Sequence, residues 1–251
     1  MCLPQFEDRH PSYNAPTSYR TTNEEPSIFV KMLGRRCFRR AAGISGGGEI
    51  PLFVLLPRCD EVVAIDHSYQ SLSSAYMKII LLDILGPAKM REMLIESRYD
   101  DLLSAAKDGH GRLPPELAKQ TPLSRQDFKE TRREWHFFPL RTIERAYARL
   151  ERLTLVHGDL MDLSRFGKFD LLYVSNATEH VNRLRRNATL TDFVPIVGKG
   201  KLMLSTLSKS YSDAPPKPHK DWELVGDVEG FRTAWQHQLR RRRVPIEEMA
   251  Q

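Results

Sequence analysis

The residues able to do chemistry sit in short groups, each at the end of an apolar run. Ser45-Gly46-Gly47-Gly48-Glu49 follows the run from Ala41 to Ile44, and Asp66-His67 closes the run from Val62 to Ile65. Asp159-Leu160-Met161 comes just after Leu153 to Val156, and Tyr173, Ser175, Asn176, Glu179 and His180 close or follow Phe169 to Val174. Adjacent glycines let the backbone approach a ligand and take φ > 0 without a Cβ clash. An acid about twenty residues beyond such a turn can accept hydrogen bonds from both hydroxyls of a ribose. A carboxylate at Asp159 can accept the exocyclic amine proton of an adenine, with Leu160 or Met161 over the ring; alone, Asp159 fits a helix N-cap equally well. Ser175 and Asn176 offer a hydroxyl and an amide, able to hold a small polar group or to orient a nucleophile. Tyr173 shares their face if the strand is regular. Glu179 and His180 can each act as a general base, or stand as a helix N-terminal charge and a surface imidazole. His67 reads as a ligand contact or as local packing, and His157 as structural.

The turn is not a dinucleotide fingerprint, which would read G-x-G-x-x-G, and nothing matches the P-loop pattern. Consecutive glycines with an acid on the next strand suit an adenosyl ligand that has no pyrophosphate to cradle. That points to S-adenosylmethionine. A glycine-rich turn by itself also serves as a plain loop; the pairing with Asp66 favours the nucleoside. The absence of H-E-x-x-H, of a paired cysteine motif and of G-x-S-x-G leaves no metal centre and no serine hydrolase to argue for.

These groups need elements to position them. The pattern predicts a short helix in 27–36, a strand over Ala41–Ile44, a helix over Ile50–Leu56 and a strand over Val62–Ile65. Apolar residues at helical spacing then predict a helix from Ser68 to Leu85, stopped by Gly86-Pro87. Another helix is expected over Leu140–Arg152, with strands over Leu153–Val156, Phe169–Val174 and Lys201–Leu207. A final hairpin is expected from Trp222–Gly226 and Phe231–His237. Strands alternating with helices imply an α/β fold, a mostly parallel sheet with helices on both faces, whose ligands bind at the carboxyl edge. Every candidate group falls at that edge. Residues 87–135, charged and interrupted by Gly109, Gly111, Pro114, Pro115 and Pro122, read as a helical insertion or lid. Residues 1–26, polar and proline-rich, read as an irregular N-terminal arm, and 240–251 as a basic tail.

The 251 residues suit one elaborated domain. At 41% hydrophobic and 28% charged, the composition is that of a globular protein rather than a disordered or membrane chain. No apolar run approaches a membrane span, and the N-terminus has no leader pattern. Cys2, Cys37 and Cys59 are unpaired in spacing, with Cys37 and Cys59 in or beside expected buried strands. They read as reduced thiols of a cytoplasmic protein. The net charge of +6 gathers in Arg35-Arg36, Arg39-Arg40, Arg183 to Arg186 and Arg240 to Arg243. Such clusters can meet an anionic membrane or nucleic acid, or simply a solvated surface. Aromatics do not interleave with them as a single-strand nucleic-acid platform requires.

Ile44 to Glu49, followed by Val62 to Leu72, resemble the first two motifs of class I S-adenosylmethionine-dependent transferases. More narrowly, Gln70 to Lys78 and Phe169 to Glu179 resemble the diacylglycerol 3-amino-3-carboxypropyl transferase family of betaine-lipid synthesis. There a strand ends in Ser-Asn and then an acid, and a helix with a Leu-Lys-like step follows the ribose acid; the lysine here is Lys78. The resemblance spans about residues 40 to 210. It implies a Rossmann-like class I methyltransferase fold, with Asp66, Asp159 and Asn176 at the cofactor. It also implies transfer of the aminocarboxypropyl arm, leaving methylthioadenosine. The chain departs from the family in its length and in His67-Ser68-Tyr69, where asparagine-proline is common after the ribose acid. The acceptor stays open: a lipid, a small molecule, or the cofactor's own amine. A methyltransferase acting on a small molecule, lipid or RNA is the second reading. A non-catalytic adenosyl-binding protein with nucleic-acid-binding patches is the third.

Overall fold

The computed structural model describes residues 3–9, 26–175, 189–208, 220–229 and 235–244. Its strands are β1 (Gln5–Asp8), β2 (Phe38–Ile44), β3 (Cys59–Asp66), β4 (Leu153–His157), β5 (Phe169–Tyr173), β6 (Val197–Ser208), β7 (Trp222–Glu229) and β8 (Trp235–Arg242). They form one sheet in the order β1-β4-β3-β2-β5-β6-β8-β7. Every pairing from β1 to β6 is parallel, and β8 runs antiparallel to both β6 and β7. The chain steps from β2 to β3 to β4 in one direction, then crosses to place β5 on the other side of β2. That reversal is the switch point at which open α/β sheets bind ligands. The Rossmann-like methyltransferase architecture, with its antiparallel C-terminal hairpin, is therefore present.

Side chains alternate across the sheet. Ala41, Val62, Ala64, Leu155, Leu171 and Leu204 enter the main core on one face. Ala42, Val63, Ile65, Val156, Leu172 and Met203 enter a second core on the other. The main core is roofed by α1 (Pro26–Leu33), a π-helical turn over Ile50–Leu55 and α2 (Tyr69–Leu85). Among the described residues the second face is roofed by short 3-10 helices, Leu160–Phe166 and Leu190–Phe193, which contribute Leu163 and Phe193.

Residues 87–135 hold α3 (Pro87–Ile95), α4 (Tyr99–Gly109), α5 (Pro115–Ala118) and α6 (Arg125–Trp135); α7 (Leu140–Tyr147) follows. They lay a second helical layer over α2. Ser73 Oγ donates to the Leu117 carbonyl, and the Gln70 side chain exchanges hydrogen bonds with the Thr121 backbone. Thirteen of the seventeen α2 residues are consequently buried, including Ser71, Ser73, Ser74 and Lys78.

The ends of the chain differ from the expectation. The N-terminal arm is not irregular throughout: Gln5–Asp8 adds an edge strand beside β4. Phe6 and Leu3 pack on the main core, and Tyr76 Oη donates to the Pro4 carbonyl. A four-residue edge strand with polar sides leaves almost no alternation to read. The basic tail is in part a strand: Arg240 pairs with Met203 and Leu224, inside the sheet between β6 and β7, and is buried. Arginine stems pack along apolar surface while the head groups find partners, so a run of arginines can be a strand. Cys37 is exposed and Cys59 is buried.

Candidate functional site

The parallel register sets the carboxyl ends of β2, β3, β4 and β5 side by side. Ile44 lies opposite Ile65, Asp66 opposite His157, and Gly43 opposite Tyr173. The glycine turn leaves β2 with Ser45 N donating to the Ile65 carbonyl at 2.8 Å, and it closes with Gly48 N donating to Ser45 O at 2.9 Å. Gly46 (φ +48°) and Gly48 (φ +96°) take the left-handed conformation that L side chains avoid. They differ in surroundings. A Cβ on Gly48 would meet the Ala75 Cβ at 2.8 Å, so this glycine lets α2 come close. A Cβ on Gly46 would meet nothing within 4 Å, so the space beside it is open.

Asp66 ties the turn to the next element. One carboxylate oxygen accepts Gly46 N at 2.9 Å and the other accepts Ser68 N at 3.0 Å. Ser68 in turn caps α2 through Ser71 N. Asp66 is 7% exposed. Burial raises its pKa above the ordinary 3.8; His67, the two backbone donors and His157 oppose that rise without cancelling it. Ser45 is 3% exposed and its Oγ has no hydrogen-bond partner among the described residues.

Beyond β4, Asp159 is an N-cap: its side chain accepts Met161 N at 2.8 Å, and Asp162 completes a reciprocal capping box. Leu160 and Met161 are half-buried against the second core. Beyond β5, Ser175 is buried with φ +50°, a left-handed conformation at a non-glycine residue. Such strain concentrates at functional sites. Tyr173 shares the main-core face, as its register requires, and its ring stands edge-on to Phe29 at 5.4 Å. At 3% exposure it forms part of the floor below the switch point. His67 is exposed. Asn176, Glu179 and His180 lie outside the described residues.

Asp8 and Tyr69 carry no site reading in the sequence, and Glu49 and Lys78 read only as the end of the glycine turn and the lysine of the family's helix. Lys78 and Glu49 form an ion pair in which both side chains are fully buried, and Lys78 Nζ also donates to the Gly47 carbonyl at 3.0 Å. Glu49 carries a signal in the sequence, since it closes the glycine turn. Lys78 carries none beyond the family's Leu-Lys step. Asp8 on β1 accepts Tyr69 Oη at 2.6 Å and stands 2.9 Å from His157 Nδ1; the Tyr69 and His157 rings stack at 3.6 Å. His157 is buried, and its partner Asp8 comes from the arm. Burial, followed by the Asp8 carboxylate, pushes the Tyr69 phenol well up from its usual range.

No family model and no curated protein sequence matches this chain. Among solved structures it is similar to the N-methyltransferase NodS from Bradyrhizobium japonicum WM9, at 8% identity over 87% of this chain and 94% of that one, with a TM-score of 0.48. It is also similar to the rRNA methyltransferase AviRa from Streptomyces viridochromogenes, at 13% identity over 93% and 90%, with a TM-score of 0.47. The ribosomal protein L11 methylase from Lactobacillus delbrueckii subsp. bulgaricus is similar at 10% identity over 87% and 77%, with a TM-score of 0.42. The fold assignment rests on the strand order, and the site on its own geometry.

Proposed function

We propose that this chain is an S-adenosylmethionine-dependent transferase. The observation that supports it is Asp66, buried at the tip of β3 with each oxygen accepting one backbone N–H, one of them from the glycine turn. A carboxylate has about four acceptor positions, so capacity for a ribose diol remains. The neighbourhood fits an adenosyl group. Gly46 has open space beside it. Ser45 Oγ is a buried hydroxyl without a partner among the described residues, an arrangement that costs about 1–3 kcal/mol until something polar meets it. In this reading Leu160 and Met161 cover the base, Asp159 keeps its cap and turns its remaining acceptor capacity to the adenine amine, and the methionine arm runs toward Ser175 and Asn176.

The sulfonium supplies an activated carbon, and the acceptor's placement decides which carbon reacts. Methyl transfer is the first reading; the strand order with its antiparallel hairpin serves either chemistry. Aminocarboxypropyl transfer is the second. It draws on the resemblance of Gln70 to Lys78 to that family, and Lys78 here reaches the glycine turn. Glu179 or His180 would serve as base in either. The acceptor in this proposal is a small molecule or a lipid, and a lipid would bring the chain to an anionic membrane surface. No helix among the described residues is long and apolar enough to cross a membrane. The test is to incubate the protein with S-adenosylmethionine and candidate acceptors and identify the nucleoside released. Adenosylhomocysteine indicates methyl transfer and methylthioadenosine the aminocarboxypropyl reading; failure to bind either nucleoside defeats the proposal.

A further inference from the structure

The Lys78–Glu49 pair takes no part in the transfer itself, yet it is a fully buried ion pair that touches the glycine turn. Lys78 comes from the middle of α2, where the second helical layer seals the helix from solvent. Glu49 closes the glycine turn. Both side chains are 0% exposed. Taking an ammonium and a carboxylate out of water costs several kcal/mol for each ion, and a well-packed apolar pair of similar volume is commonly as stable. Stability alone is therefore a poor reason for this arrangement. Geometry offers a better one. The ammonium has three donors: one meets Glu49 and one meets the Gly47 carbonyl at 3.0 Å. Gly46 N is held by Asp66, and Gly48 is pressed against Ala75, one helical turn before Lys78. Each glycine of the turn thus has its own fixed point, and two of the three are on α2.

We propose that Lys78, oriented by Glu49, is a positioning residue that sets the Gly46–Gly48 turn in the conformation that receives the ligand. The inference rests on the adenosyl reading for its consequence in binding, but not for the clamp itself. Lysine reaches the peptide from behind, so the turn is pre-formed before any ligand arrives, and its ordering entropy is not charged against binding. Arginine would not substitute simply, since a planar fork cannot occupy the place of a compact ammonium.

Removing one partner would strand a buried charge and unfold the region, so the test replaces both, as Lys78→Met with Glu49→Leu. The expected result is a double variant with a near-wild-type unfolding transition, at least tenfold faster amide exchange in Gly46–Gly48 but not in β3, and at least tenfold weaker binding of adenosylhomocysteine. Unchanged exchange in the turn, or unchanged affinity in a wild type that binds, overturns the proposal. A measurement on the unliganded wild type stands beside it and does not depend on the variant folding. Gly46 and Gly48 amides should exchange as slowly as those of β3, and exchange at exposed-loop rates overturns the clamp. A protected turn in a protein that binds no nucleoside would defeat the adenosyl reading and leave the clamp standing.

Discussion

Asp66 concentrates the site's electrostatics in one carboxyl group. Its pKa is raised above 3.8, chiefly by burial. A raised carboxyl pKa means that the folded state holds the proton more tightly than the unfolded chain. Its contribution to stability is therefore fully present below the unfolded value and is lost as pH rises through the folded one. Ligand binding runs the other way, because ribose hydroxyls donate to the ionised form. Adenosyl affinity should weaken as pH falls through the raised pKa, and binding there should release a proton. Calorimetry in buffers of different ionisation enthalpy reads that proton directly. His67, His157, Asp8 and Asp159 are ionisable neighbours, so the assignment needs Asp66→Asn. That variant should lose the proton release and bind about a hundredfold more weakly, on the scale of one or two hydrogen bonds to a charged group. Proton release surviving in the variant would place the titration elsewhere.

The two left-handed glycines separate stability from binding. Gly48→Ala forces a Cβ to 2.8 Å from Ala75 at φ +96°. It should cost about 2–4 kcal/mol, combining left-handed strain with overpacking, as read by denaturant unfolding. Gly46→Ala meets only open space. It should cost about 1–2 kcal/mol of stability while weakening the nucleoside at least tenfold, because the new methyl stands in the space assigned to the ligand. Equal affinity for Gly46→Ala and wild type would move the ligand off the turn.

Among the elements, β1 changes most between sequence and structure. It brings Asp8 to the carboxyl edge, where the carboxylate meets both Tyr69, at the start of α2, and His157, at the end of β4. Asp8→Ala leaves a buried phenol and a buried imidazole without that acceptor, and should cost about 1–3 kcal/mol in unfolding free energy. Wild-type stability in the variant would show the arm to be a passive edge. Strands β2 to β5 were legible because each is an apolar run ended by small or acidic residues. β1 was not, because Gln5 to Asp8 is short and polar and owes its conformation to the β4 backbone beside it. The same applies to Lys78. A lysine in an otherwise apolar helix ordinarily faces water; here it faces the glycine turn, where Glu49 and the Gly47 carbonyl receive it, and no local spacing announces that.

On the scale of the whole molecule, the sheet explains why the C-terminal arginines cannot be trimmed. β8 is internal, paired on both edges. Ending the chain before Arg240 removes five of the fourteen pairs that β8 makes with β6 and β7, leaves Trp222 without its partner Arg242, and should abolish cooperative unfolding. A dispensable tail would leave the circular dichroism spectrum and melting temperature unchanged. The strand order also gathers residues from β2, β3, β4 and β5 at one edge, although more than a hundred positions separate Ser45 from Ser175.

The sequence by itself determined the parallel sheet, the glycine turn and the acid that answers it, because alternation, turn chemistry and the spacing of Asp66 are properties of neighbouring residues. Tertiary structure alone decided that Tyr173 is floor rather than wall, that Asp8 reaches His157, and that Lys78 holds Gly47. Each of those depends on which surface is withdrawn from water when distant segments pack, and burial of that kind leaves no trace in local pattern.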